Sequence, residues 1–290
     1  VIYPSPMGTD LDNAARVTYR VEQTFRYAYD SPVTSVRQRL VCVPRARHGD
    51  QARRRHRLSV HLAPDGPAVR VPRRSGRDRA GNSVLRVLVP SVTSSLEFRL
   101  VAELSRVRAE GPPRLPSAAL RDPSLLRPTR LTAADDRVRT LASGCAAADP
   151  LLFAENINHA VRHALSYRPG ATGVTTTAAQ ALALGAGVCQ DYAHVMLAVC
   201  RAAGIPARYV SGHLIGEGAS HAWVEVVVPS GDGAVALAFD PCNDRRAGFS
   251  YVTVATGRDY ADIPPTSGTY VGAPGGRLVS TQTVSVLDCA

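Results

Sequence analysis

From Val17 to about Arg108 the chain alternates apolar and polar residues in short runs: VTYRVEQTFRYAY, VTSVRQRLVCV, LSVHL, SVLRVLV and LEFRLVAEL. Period-2 alternation turns one side of each run to a core and the other to water, so these segments are predicted strands. Turn-forming clusters such as Asp30-Ser31-Pro32 and Gly81-Asn82 separate them. This argues for antiparallel pairing in a sandwich-like N-terminal β-domain over residues 16–110. The period then changes. Beyond a stretch at 110–128 that holds five prolines (Pro112, Pro113, Pro116, Pro123 and Pro128), helical spacing appears over 133–142, with Thr132 as the expected N-cap. It continues over 150–165 and 177–184. A further helix opens at Cys189 and stops at Gly204, before Ile205-Pro206. Alternation returns at 207–214, 222–228 and 234–239, and again in 252–254 and 278–287. The predicted class is α+β: residues 1–15 as a tail, the β-domain, then a second domain over 128–290 with helices first and an antiparallel sheet with C-terminal strands after.

One helix start is unusual in its chemistry. GVCQDYAH, residues 187–194, puts Cys189 after a glycine turn at the head of an apolar-periodic segment, with Ala193, Met196, Cys200 and Ala203 on one face. A thiol there meets unpaired backbone N–H groups and the positive end of the helix dipole, which favour the nucleophilic thiolate. A small core cysteine explains this segment equally well when it is taken alone.

Two downstream strands break the tie. SHAWVEVVV, residues 220–228, places His221, Trp223 and Glu225 on one face and Ala222, Val224 and Val226 on the other. After a turn at 229–233, AVALAFDP forms a second strand ending at Asp240. Hairpin pairing brings Asp240 toward His221, with the register open. A nucleophile on a helix, with a base and its orienter on adjacent strands, is the arrangement covalent acyl chemistry needs.

In that order, GVCQDYAH, SHAWVEV and FDP resemble the core of the transglutaminase-like superfamily in its bacterial branch. The segments SYRPGATGV, RAAGIPARYVSGHL and GRDYADIPPTSG are similar to that branch too. The first 28 or so residues from Val17 resemble the β-domain that precedes its core. The resemblance covers most of residues 16–289. It implies a papain-like catalytic core with a Cys-His-Asp triad at Cys189, His221 and Asp240. Gln190, Trp223 and Tyr167 are then candidates for lining the cleft or the oxyanion site. The chain departs from its relatives at Cys242, where threonine is common, and a small buried thiol is the expectation there. The implied activity is a thioester acyl-enzyme at Cys189, passed to an amine (transferase) or to water (amidase or cysteine protease). The alternative is an amide-forming acyltransferase that takes its acyl group from a carrier-protein thioester.

Composition narrows the rest. No run approaches a membrane span, and the opening residues lack the apolar core of a signal peptide, so a cytoplasmic chain with reduced thiols is expected. The six cysteines contain no C-x-x-C pair, and no metal or cofactor signature is present. The net charge is +10, and all 34 basic residues are arginine, so the chain has no lysine amine through which to cross-link itself. Arginines cluster at 45–57 and 70–79. Without interleaved aromatics or a nucleic-acid motif, solvated loops are favoured over nucleic-acid binding, and an acidic carrier protein stays open as a partner beside a peptide or protein amide substrate. His194 reads as a structural hydrogen-bonder, Glu225 as a buried partner for an arginine, and the GRDYAD segment as a loop tied by an ion pair.

Overall fold

The computed structural model of the chain describes residue 11, residues 13–64 and residues 66–290; of the expected tail, 1–10 and 12 lie outside the described residues. The first half forms two facing antiparallel sheets. One runs in the order Arg277–Cys289, Arg16–Ala28, Ser95–Val107, Gln51–His61 and Arg47–His48. The other runs Thr266–Val271, Val33–Leu40, Ser83–Val92 and Arg73–Arg77. Tyr19, Val21 and Phe25 of the first sheet and Val36, Leu40 and Val89 of the second meet in one core. The alternation that predicted strands also fixes which sides face inward.

Two expectations about this half are corrected. The C-terminal strands do not extend the second domain: Arg277–Cys289 pairs with Arg16–Ala28 along its whole length, and Thr266–Val271 pairs with Val33–Leu40. A sheet edge presents unpaired N–H and C=O groups, and the returning chain satisfies them. Most of the clustered arginines lie in strands rather than loops, with Arg45, Arg70 and Arg79 in the connecting segments. Arg53, Arg54, Arg55 and Arg57 belong to Gln51–His61, while Arg73, Arg74 and Arg77 belong to Arg73–Arg77. A register shift between Arg53 and Arg55 breaks the alternation that would have revealed the first of these.

The second half carries the helices Asp136–Gly144, Pro150–Ala164, Ala178–Leu184 and Cys189–Ala202. The first is capped by Asp135, whose side chain accepts from the Val138 N–H, and not by Thr132, which belongs to a preceding 3-10 turn. The helices pack on an antiparallel sheet ordered Arg245–Arg246, Gly233–Asp240, Ser220–Ser230, Ala207–Leu214 and Tyr251–Gly257. Ala222, Val224 and Val226 on one face of that sheet share a core with Ala193, Met196, Leu197 and Cys200 of the Cys189 helix. The proline-rich stretch is tied down as well, since Arg114–Leu115 pairs with the Gly233–Asp240 strand. Among the described residues, no helix is long and apolar enough to cross a membrane.

The seam between the halves is polar and paired. Gln51 bonds the backbone of Thr253 through both amide atoms, at 2.8 and 2.9 Å, and Asn82 does the same with Thr256. Each side-chain amide thus stands in for a neighbouring strand along the outer edge of Tyr251–Gly257. Further along, His48 Nε2 lies 2.6 Å from Glu225 Oε1, and both residues are buried.

Candidate active site

Cys189 is the first residue of its helix, and the local sequence builds that start tightly. The Asp191 carboxylate accepts from the Val188 N–H at 2.8 Å and from the Thr172 hydroxyl at 2.6 Å. A Cβ at Gly187 would sit 2.6 Å from the Asp191 side chain, so only glycine lets the carboxylate fold back under the turn. Gly187 pairs with Tyr167 in a short parallel bridge, which fixes Tyr167 beside the cysteine. The Tyr167 phenol is half exposed; partial burial pushes its pKa up, and Cys189, Glu217 and His221 lie close enough to bear on it. Tyr167 thus lies near Cys189 with half of its side chain exposed. Gln190 is partly exposed in the same first turn.

The histidine and aspartate strands supply the register that the sequence left open. Val224 pairs with Phe239, which sets Asp240 level with Trp223 and one diagonal step from His221. His221 Nε2 lies 2.7 Å from Asp240 Oδ2. The Asp240 carboxylate also accepts from the Cys242 and Asn243 backbone N–H groups, from the Asn243 amide at 2.7 Å and from the Tyr251 hydroxyl at 2.6 Å. Burial alone would push His221 down, but the Asp240 charge and hydrogen bonds to Asp240, Cys189 and Glu217 outweigh it, so its pKa stands well above the ordinary value. Asp240 responds in the opposite sense: burial pushes it up, and the His221 charge and the donors around it hold it below the usual range. The pair is an imidazolium and a carboxylate, both buried.

The structure brings three further groups to this cluster. Glu217, in the loop before the histidine strand, lies 3.1 Å from His221 Nδ1, on the side of the ring away from Asp240. Tyr251 reaches Asp240 from a strand on the far side of Ala207–Leu214. Asn243 follows the FDP motif directly. Asn243 was within reach of the sequence, as a turn residue three places after the aspartate. Glu217 and Tyr251 carried no such signal.

Trp223 requires a correction. It is only 1 % exposed and packs with Val210, Leu214 and Tyr251 in a small core, so it is a packing residue rather than one exposed beside Cys189. Its ring lies across Gly212, where a Cβ would come within 2.5 Å of the indole, and stacks 6.2 Å from His221. It backs the imidazole. A cavity of about 500 Å³ lies on this inner side, between the two halves, lined by Trp223, Glu225, Tyr251, Arg106 and Phe249. Cys189 and His221 do not line it.

The remaining polar residues behave as their sequence context suggested. His194 is fully buried, accepts from the Tyr260 N–H at 3.2 Å, and is pushed down to about 4 by burial. Glu225 is held at about 2 against its burial by Arg208 and His48. Arg258 and Asp262 close the GRDYAD loop with an ion pair at 2.8 Å. Burial, followed by the Asp240 charge, pushes the Cys242 thiol up to about 12, so it stays protonated at neutral pH. All six cysteines are unpaired.

Comparison with known proteins adds the family. The transglutaminase-like superfamily matches residues 139–240, and the bacterial transglutaminase-like N-terminal region matches residues 19–105. The chain is 32% identical over 284 residues to the uncharacterized protein Rv2569c of Mycobacterium tuberculosis, covering 86% of each. It is 37% identical over 159 residues to ML0607 of Mycobacterium leprae, which spans 51% of this chain and 55% of that one. A candidate cysteine protease from Cytophaga hutchinsonii shares the fold at a TM-score of 0.73 and 20% identity, covering 94% of this chain and 91% of that one. The chain belongs to the transglutaminase-like superfamily, with the bacterial N-terminal region ahead of the core.

Proposed function

We propose that Cys189, His221 and Asp240 are a catalytic triad, and that the protein transfers or hydrolyses the acyl group of a peptide or protein amide through a thioester at Cys189. The observation that carries this reading is the position of His221, with Nε2 on a buried carboxylate and Cys189 among its hydrogen-bonding neighbours. Asp240 fixes the ring and stabilises the imidazolium. The Cys189 thiolate attacks the acyl carbonyl, and the oxyanion develops beside the backbone N–H groups that open the helix. The imidazolium then gives its Nδ1 proton to the leaving amine as the C–N bond breaks, leaving a thioester and a neutral imidazole. That imidazole takes a proton from the incoming amine or water as the thioester is opened. Cys242 does not compete, because its thiol holds its proton.

Glu217 supports the resting state of this cycle. Its carboxylate stabilises the imidazolium from the Nδ1 side, where the proton must leave. The side chain is 22% exposed and sits in the loop before the histidine strand.

The test is to incubate the protein with glutaminyl peptides, with and without a primary amine, and to follow peptide mass, ammonia and the intact mass of the chain. A Cys189-dependent acyl adduct supports the reading. Amine incorporation then assigns transfer, and a deamidated or cleaved peptide assigns hydrolysis. No product from amides, with acylation from thioester donors, would move the donor to a carrier-bound acyl group. Wild-type turnover in Cys189→Ala would remove the triad altogether.

A further inference from the structure

On the helix Pro150–Ala164, His159 and His163 lie one turn apart on an exposed face, with ring centroids 4.3 Å apart. Asp244 comes to them from the turn after the aspartate strand, and its Oδ2 lies 2.8 Å from His159 Nδ1. One ligand atom from each of the three residues lies within 4.8 Å of the others. The second Asp244 oxygen accepts from Asn158 at 3.0 Å, which orients the carboxylate toward the imidazoles. Asp244 holds this position at φ +52°, a left-handed conformation that aspartate adopts more readily than most residues.

We propose that His159, His163 and Asp244 form a binding site for a single zinc-class divalent cation. Two imidazole nitrogens and one carboxylate oxygen are the ligand set of zinc and its late-transition neighbours, whereas calcium and magnesium select oxygen ligands. Bonds of about 2.0–2.2 Å set neighbouring ligand atoms about 3.4 Å apart around a tetrahedral ion. The three groups reach that spacing by small rotations of the two exposed histidines and the partly exposed Asp244, with water at the fourth position. A lone His159–Asp244 ion pair would leave His163 without a purpose in the cluster, whereas an ion uses all three. Asp244 ends the turn whose Cys242 and Asn243 N–H groups hold Asp240. The bound ion therefore clamps that turn to the helix.

The test uses the full chain, stripped of metal and titrated with Zn(II) by calorimetry and with Co(II) by absorption. It is run on the wild type and on Cys189→Ala, so that the accessible thiol is not a competing ligand. The expected result is one equivalent bound in both, a raised thermal midpoint with zinc, and cobalt d–d bands without thiolate charge transfer. His163→Ala leaves the His159–Asp244 contact in place and should melt like the wild type without metal. It should weaken binding by about tenfold or more, and His163→Gln should do the same. No stoichiometric binding, thiolate charge transfer in the cobalt spectrum, or unchanged affinity in both His163 variants would overturn the site. None of these readouts depends on acyl chemistry, so the site stands or falls apart from the triad.

Discussion

Two buried ion clusters share one face of the strand Ser220–Ser230, and they differ in what surrounds them. At its start, His221 pairs with Asp240, and its other nitrogen turns toward Glu217 and the cysteine helix. Four residues on, Glu225 is gripped by Arg208 and His48, each at 2.6 Å. Burial, opposite charge and a shifted pKa are common to both. The distinction is the neighbour: Glu225 meets Arg208 and His48 beside the inner cavity, whereas the His221 ring faces a thiol and a half-exposed tyrosine. Perturbed titration marks both places, and a neighbouring thiol is what sets the His221 cluster apart.

The sharpest way to break this comparison is to remove chemistry from one end and stability from the other. Cys189→Ala should lower turnover on the order of 10³-fold or more, roughly 4 kcal/mol of barrier, with the thermal midpoint unchanged. Glu225→Gln should do the reverse. It leaves the partly buried Arg208 without its counter-charge and His48 without its carboxylate partner, and should cost about 3 kcal/mol of stability in a denaturant titration. The turnover of the molecules that remain folded should change little. If Glu225→Gln instead abolished turnover in a stable protein, the two clusters would have to be treated as one functional unit.

Asp240→Asn lies between these extremes. The amide keeps the shape but cannot stabilise the imidazolium, so turnover should fall by at least about 10²-fold. The variant should also lose stability, because a buried charged histidine loses its partner. Kinetics on the folded fraction, read beside the melting curve, separates the two effects.

How much of this could be read from the sequence depended on how far each contact reaches along the chain. Cys189, His221 and Asp240 were legible because a helix start and two alternating strands carry them, and the hairpin joining the strands is short. The register was not legible, since Val224↔Phe239 is a packing outcome. Tyr251 and Glu217 stayed hidden because one arrives from a non-neighbouring strand and the other from a loop. The C-terminal strands were assigned to the wrong half because sequence adjacency says nothing about a strand that pairs across the whole chain, Cys289 with Val17. His159 and His163 show the same limit: their spacing is visible, but Asp244, which makes them a cluster, is not.

Acid tests a third kind of buried histidine, one that burial holds neutral. Burial pushes His194 and His213 down to about 4, from 6.5 for a free imidazole. The unfolded chain therefore takes up protons first as pH falls, so their contribution to stability is complete above about 6.5 and drains away between 6.5 and 4. His194 has a direct reason to resist protonation, because its Nε2 must accept from the Tyr260 N–H. Unfolding free energy should decline by a few kcal/mol across that window, and His194→Gln should flatten part of the slope. An equal slope in the variant would place the acid sensitivity elsewhere.

The smallest effect sought is also the most specific to the His221 cluster. Glu217 raises the His221 pKa from the Nδ1 side, so Glu217→Gln should lower it. If the active form is thiolate with imidazolium, activity is lost at high pH when the imidazolium gives up its proton. The alkaline limb of kcat/KM should then move to lower pH, while the melting temperature stays where it was. The same exchange at Glu225 removes a carboxylate two turns of alternation away and should leave that limb in place. A limb that moves with Glu225 and not with Glu217 would mean that the field of the Glu225 cluster, rather than the contact at Nδ1, sets the charge of the base.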